Sequence, residues 1–187
     1  MDEEINKAVQ MLSRGKIILY PTDTIWGIGC DATNTRAVNR IFKIKRREEK
    51  KSLIVLLDTE EKIGQYVSDV PQLAYDLMRN YTSPLTIIYP NAKGLAKNVA
   101  GEDRSIAIRV TRDEFCVKMI AMFGKPIVST SANISGEAAP LAFSRISDDV
   151  KRKVDYVVEY NQQRVTRTKP STLIKIREDG SFDVLRK

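Results

Sequence analysis

The chain has 187 residues, a formal net charge of +7, two cysteines and no histidine. That length suits one domain, 1–187, with a core that needs no disulfides, and the charge admits a polyanionic or nucleotide-like ligand as readily as a surface kept soluble by lysines. Lacking histidine, the chain cannot build a Ser-His-Asp triad, a Cys-His pair or an HExxH zinc site, so any catalysis must rest on positioning and charge, as phosphoryl and nucleotidyl transfer do.

Ile5, Ala8, Val9 and Leu12 recur at helical spacing, and Gly15 follows as a stop. Residues 17–20 read as a strand closed by Pro21. Val38, Ile41 and Phe42 predict a helix from 35 to about 47. Residues 53–57 are continuously apolar, the pattern of a strand buried on both faces. Asp58 and Glu61 resemble a capping box for a helix carrying Ile63, Tyr66 and Val67, and Pro71 opens another with Leu73, Ala74, Leu77 and Met78 inward. Strands follow at 85–89 and 105–110. Thr111 and Glu114 form a second capping-box pattern before a helix with Phe115, Met119 and Ile120 inward and Gly124 at its end. Residues 127–129 read as a strand, 144–150 as a short helix, and 154–158, 172–176 and 182–185 as late strands. The polar, basic stretch 161–169 reads as a loop. Strands and helices intermix throughout, so the class is α/β. No apolar run approaches a membrane span, the start Met1-Asp2-Glu3-Glu4 is not signal-like, and Cys30 and Cys116 lack metal-ligand spacing; a reduced, cytoplasmic protein without a membrane partner is expected.

Four segments could carry chemistry, each at a strand edge or in a polar loop, where α/β sites usually sit. In the first, Pro21-Thr22-Asp23-Thr24 leads to Gly27-Ile28-Gly29-Cys30-Asp31, either a turn shaped by glycine or a place where a ligand approaches the backbone. The second is the basic run 43–51, either a solvated helix face or a phosphate clamp. Arg109 is the third: it interrupts an apolar strand and needs an anionic partner, a structural ion pair or a ligand carboxylate. The fourth joins Ser129-Thr130-Ser131-Ala132-Asn133 with Lys169-Pro170-Ser171-Thr172, hydroxyl-rich pieces that serve either as turns and caps or as a ligand crevice.

Taken together, these motifs resemble the YrdC/Sua5 family, the L-threonylcarbamoyladenylate synthases of tRNA modification. The resemblance covers about residues 15–172, in consistent order. It rests on Pro-Thr-Asp-Thr-x-x-Gly-x-Gly-Cys-Asp at 21–31, Lys45-x-Arg47 and Ser131-x-Asn133. It implies a twisted, mostly parallel open sheet flanked by helices around a basic cavity. It also implies a nucleotidyltransferase reaction: L-threonine, bicarbonate or CO2, and ATP with Mg2+ give threonylcarbamoyl-AMP and pyrophosphate. The product serves N6-threonylcarbamoyladenosine formation at tRNA position 37, with tRNA and the threonylcarbamoyl-transfer machinery as partners. By the same resemblance Thr24, Arg109, Ser129 and Ser171 bind L-threonine. Arg47, Lys51, Ser105, Ser131, Ala139 and Arg186 contact the nucleotide, and Lys45, Arg47, Ser131 and Asn133 form the catalytic set. No residue set is assigned to a metal, since Mg2+ is expected through the ATP phosphates. The sequence departs from the family pattern at Trp26, often Tyr, at Thr82-Ser83-Pro84, commonly Pro-Gly-Pro, at Lys51-Ser52-Leu53, and at Leu56, where some members place a threonine-contacting His. The chain ends near the last family motif, which predicts the short, single-domain form. A non-catalytic RNA-binding protein of the same fold is the alternative.

Overall fold

The structure, a computed structural model, describes residues 1–48, 53–163, 170–177 and 179–187. Within them the chain runs α1 (Asp2–Ser13), β1 (Ile18–Tyr20), β2 (Gly27–Asp31), α2 (Thr35–Lys45), β3 (Ile54–Leu57), α3 (Gln72–Asn80), β4 (Leu85–Tyr89), β5 (Ile106–Val110), α4 (Glu114–Phe123), β6 (Ile127–Ser131), α5 (Asp148–Lys153), β7 (Tyr156–Val157), β8 (Thr172–Ile176) and β9 (Phe182–Arg186). Short 3-10 turns lie at Glu60–Gln65 and Phe143–Arg145.

These strands join one sheet in the order β7-β1-β2-β6-β3-β5-β4-β8-β9. The pairings β1–β7, β3–β5 and β4–β8 are parallel, and the other five are antiparallel. The sheet is therefore mixed, and the expected mostly parallel arrangement holds only in part. One cause is local: the 21–26 connection is too short for a crossover helix, so β1 and β2 must run antiparallel.

Because side chains alternate along a strand, register decides which residues share a face. The pairings Gly27↔Ser131, Ile54↔Ser129, Ile54↔Ala107, Leu56↔Arg109 and Ile88↔Ala107 place all these residues on one face. The opposite face carries Ile28, Val55, Ile87, Ile108, Val128 and Ile174. It builds the larger core under α2 and α3, with Val38, Ile41, Phe42 and Ala74 packed against it. On the first face α1 and α4 pack together over Ile18, Tyr20, Leu56 and Ile127, through Ile5, Ala8, Leu12, Phe115, Met119 and Ile120. They cover only part of that face, and a cavity occupies the rest.

Local departures from the expected elements have identifiable partners. Asp58 accepts Lys62 Nζ at 2.7 Å instead of capping a helix, and a 3-10 turn forms there. α4 is capped by Asp113, whose Oδ1 accepts Cys116 N–H at 3.0 Å; Thr111 Oγ1 accepts Asp113 N–H instead. The helix expected over 144–150 divides into the second 3-10 turn and α5, which Ser147 caps. Among the described residues no helix is long and apolar enough to cross a membrane.

Candidate active site

The Gly-x-Gly segment is the inner strand β2, and the Ser/Thr burst extends β6 through Ser131. Alternation then aims Ser129 and Ser131 at the same face as Gly27 and Gly29. Glycine is required at position 29, where a Cβ would lie 2.7 Å from both Val128 O and Tyr20 Cε1. At Gly27 a Cβ would stand 3.3 Å from Ser129 Oγ. The two glycines thus let β2 pass beneath Tyr20 and leave Ser129 room. Over this face lies a cavity of about 340 Å3, a size that suits a small-molecule site.

At its floor Arg109 is 5 % exposed, and its Nη1 donates to Thr24 Oγ1 at 3.2 Å. Thr24 Oγ1 lies 3.0 Å from Thr22 Oγ1, which itself donates to Ile25 O at 2.7 Å. With the Thr22 proton committed, the Thr24 hydroxyl must donate to Thr22, which leaves its lone pairs for Arg109. The Asp23 carboxylate stands 3.5 Å from Arg109 Nη2, and Arg109 Nε is buried without a hydrogen-bond partner. A buried guanidinium so loosely paired keeps donors for an incoming carboxylate.

Two further guanidiniums face the same space. Arg186 comes from β9 and donates through Nε and Nη2 to Ser171 O at 3.0 and 2.9 Å; Ser171 Oγ lies 2.7 Å from Thr86 Oγ1. Burial and the neighbouring Arg109 cation pull Arg186 below its ordinary value. Arg47 follows the end of α2, where Arg46 adopts a left-handed conformation (φ 50) and turns the chain out of the helix. Burial lowers Arg47 as well. No acidic side chain lines the cavity among the described residues.

Of the residues singled out in the sequence, Thr24, Arg47, Arg109, Ser129, Ser131, Ala139, Ser171 and Arg186 line this cavity. Lys51 and Lys169 lie outside the described residues. Ser105 is not brought in; its Oγ donates to Asp103 Oδ1 at 2.6 Å. Lys45 and Asn133 do not line the cavity either. Lys45 is 2 % exposed, and its Nζ donates to Ser131 O at 2.6 Å and Asn133 O at 2.7 Å. Asn133 Nδ2 donates to Ile134 O and Glu137 O at 3.0 and 2.7 Å. The expected catalytic set therefore divides into two residues at the cavity and two that hold the loop beside it.

Thr22, Trp26, Ile54, Ala107 and Leu173 also line the cavity. Strand parity was the signal for Ile54 and Ala107, which share a face with Arg109. Trp26 packs its ring 4.9 Å from that of Phe143. Leu56, where some family members place a His, is fully buried in the apolar cluster under α1 and α4 and does not reach the cavity.

The family model Sua5_yciO_yrdC, described as "Telomere recombination", matches residues 10–187. A threonylcarbamoyl-AMP synthase of Pseudoalteromonas translucida is 34% identical over 172 residues, 90% of this chain and 91% of that one. Another, of Hahella chejuensis, is 42% identical over 130 residues, 69% of this chain and 71% of that one. The crystal structure of P. abyssi Sua5 complexed with L-threonine superposes with a TM-score of 0.86 at 28% identity, over 94% of this chain; the chain spans about half of that longer protein, 52%. E. coli YciO superposes with a TM-score of 0.87 over 100% of this chain and 90% of its own, which at 24% identity concerns the fold alone.

Proposed function

The chain belongs to the Sua5/YciO/YrdC family, and on that premise we propose that it is an L-threonylcarbamoyladenylate synthase. The observation that carries the reading is the set of three guanidiniums, Arg47, Arg109 and Arg186, around one cavity with no acidic lining residue among those described. Such a site favours a ligand with several separated negative charges. L-Threonine and ATP together supply them.

Arg109, with its unpaired Nε and its bond to Thr24, is the anchor for the threonine carboxylate. Ser129 and Ser171 supply hydroxyls beside it. Arg47 and Arg186 face the triphosphate of ATP, which arrives as its Mg2+ complex, and Ser131 and Ala139 border the nucleotide. The threonine amine, as its free base, adds to CO2 and releases a proton to solvent, which gives a carbamate. A carbamate oxygen then attacks the α-phosphorus, the bond to the bridging oxygen breaks, and pyrophosphate leaves. The protein contributes no nucleophile. Its work is to hold two anions close together and to stabilise charge as the bond to the leaving group lengthens. The product is an activated donor for modification of tRNA position 37 in the cytoplasm.

Pyrophosphate release from ATP, measured with and without L-threonine and bicarbonate in the presence of Mg2+, tests the reading. Release that requires both is the expected result. No release, together with RNA binding that weakens steeply with salt, overturns it in favour of a binding module.

A further inference from the structure

We infer that Lys45 is a positioning residue: its ammonium clamps the backbone of residues 131–137 and so sets one wall of the cavity, without touching either substrate. The kinetic consequences rest on the synthase reading, whereas the structural ones do not.

Lys45 is the last residue of α2 and holds the neighbouring loop twice. Its side chain donates to the carbonyls of Ser131 and Asn133, and its own carbonyl accepts Ser135 N–H at 2.8 Å. The same loop is tied to β2 by Ala132 N–H, which donates to Trp26 O at 3.1 Å, and closed internally by Asn133 Nδ2 on Glu137 O. An ammonium has three donors, and two are already committed to backbone oxygens in a buried place. For Lys45 to reach a triphosphate it would have to release both carbonyls and leave them unsatisfied, which is costly. A cation at a helix C-terminus is also well placed where it stands, since the last carbonyls carry partial negative charge. The clamp acts on both sides of the site. Ser131 lines the cavity from the held loop, and Arg47, two residues beyond Lys45, lines it from the end of the helix.

Lys45→Met keeps the stem and removes the donors. Hydrogen exchange of the amides of residues 131–137 should rise by roughly tenfold or more, as expected when buried carbonyls lose their partner. L-Threonine binding, measured by calorimetry in the absence of ATP, should weaken with it, because Ser129 and Ser131 share the loosened strand. A lysine that served only the triphosphate would leave both quantities unchanged and weaken ATP binding alone, and that result overturns the inference. Lys45→Arg, which still offers two donors to two carbonyls, should restore part of the exchange protection. Should Lys45→Met fail to fold, Lys45→Gln carries the test. It removes the ammonium and shortens the reach to the Ser131 and Asn133 carbonyls, so faster exchange over 131–137 with weaker threonine binding is again expected, unchanged values counting against the clamp. If the wild-type protein binds no threonine, the synthase reading fails while the exchange measurement still decides the clamp.

Discussion

Arg109 Nη1 meets Thr24 Oγ1 at 3.2 Å, and Thr24 passes the polarity on to Thr22 and thence to the Ile25 carbonyl. That relay fixes the Thr24 hydroxyl as an acceptor toward Arg109, so the guanidinium plane is held while Nε stays without a partner. Lysine at position 109 would keep the charge and lose the planar fork that fits a carboxylate. Arg109→Lys is expected to weaken L-threonine binding by about 1.5–3 kcal/mol, roughly ten- to a hundredfold in Kd. Calorimetry with threonine checks this, and ATP binding alone should change little. An unchanged threonine affinity would remove Arg109 from its assigned role.

Arg47 lines the same cavity, carried there by the left-handed turn at Arg46. If it stabilises charge on the triphosphate as pyrophosphate departs, Arg47→Ala should cost about 2–4 kcal/mol of transition-state stabilisation, at least roughly tenfold in kcat/KM. Threonine binding without ATP should survive, which separates the variant from a collapsed site. Steady-state pyrophosphate release decides the matter, and near-normal turnover would sink the assignment.

How far the site was legible in the sequence depended on how local each signal was. The apolar run that became β3 was readable, because a strand buried on both faces leaves a continuous apolar pattern. The strand at β2 was not, because its glycines are depleted from strands in general and are needed here by contacts with Tyr20 and β6. Arg109 was marked by its misplacement among apolar residues. Lys45 and Arg47 looked alike inside one basic run, yet one is spent on the Ser131 and Asn133 carbonyls and the other reaches the cavity. The division is made by the turn at Arg46 and by partners distant in the chain, and spacing alone carries neither.

Gly27 and Gly29 separate stability from binding. The neighbour that a Cβ at Gly29 would strike includes the Val128 carbonyl, which cannot move without disturbing the β2–β6 pairing. Gly29→Ala is expected to destabilise the fold by about 1–3 kcal/mol, seen as a lower Tm. A Cβ at Gly27 meets the Ser129 hydroxyl at 3.3 Å and makes ordinary contacts with Thr22 Cγ2 and Tyr20 Cε1 at 3.5 Å, so Gly27→Ala should cost less stability and more threonine affinity. Thermal melts and calorimetry on the two variants should therefore rank them in opposite orders. The same order in both would mean that Ser129 is not at the threonine end.

Burial, with the Arg47 cation nearby, pulls Lys45 from 10.5 down to about 8. The direction of the linked stability follows from proton counting. Between those two values the unfolded chain keeps a proton on this lysine that the folded chain has released, so the contribution of Lys45 to folding stability rises as pH climbs from about 8 toward 10.5. Below about 8 both states hold the proton, and the contribution is flat. Lys45→Met has no titrating group there. The difference in unfolding free energy between wild type and Lys45→Met, measured by denaturant titration at a series of pH values, should therefore be constant at neutral pH and grow in favour of the wild type above about 8. A difference that stays level to pH 10 would show that the carbonyls of Ser131 and Asn133 hold the ammonium charged more strongly than burial opposes it. The clamp would then be an ion–dipole contact over the whole accessible range.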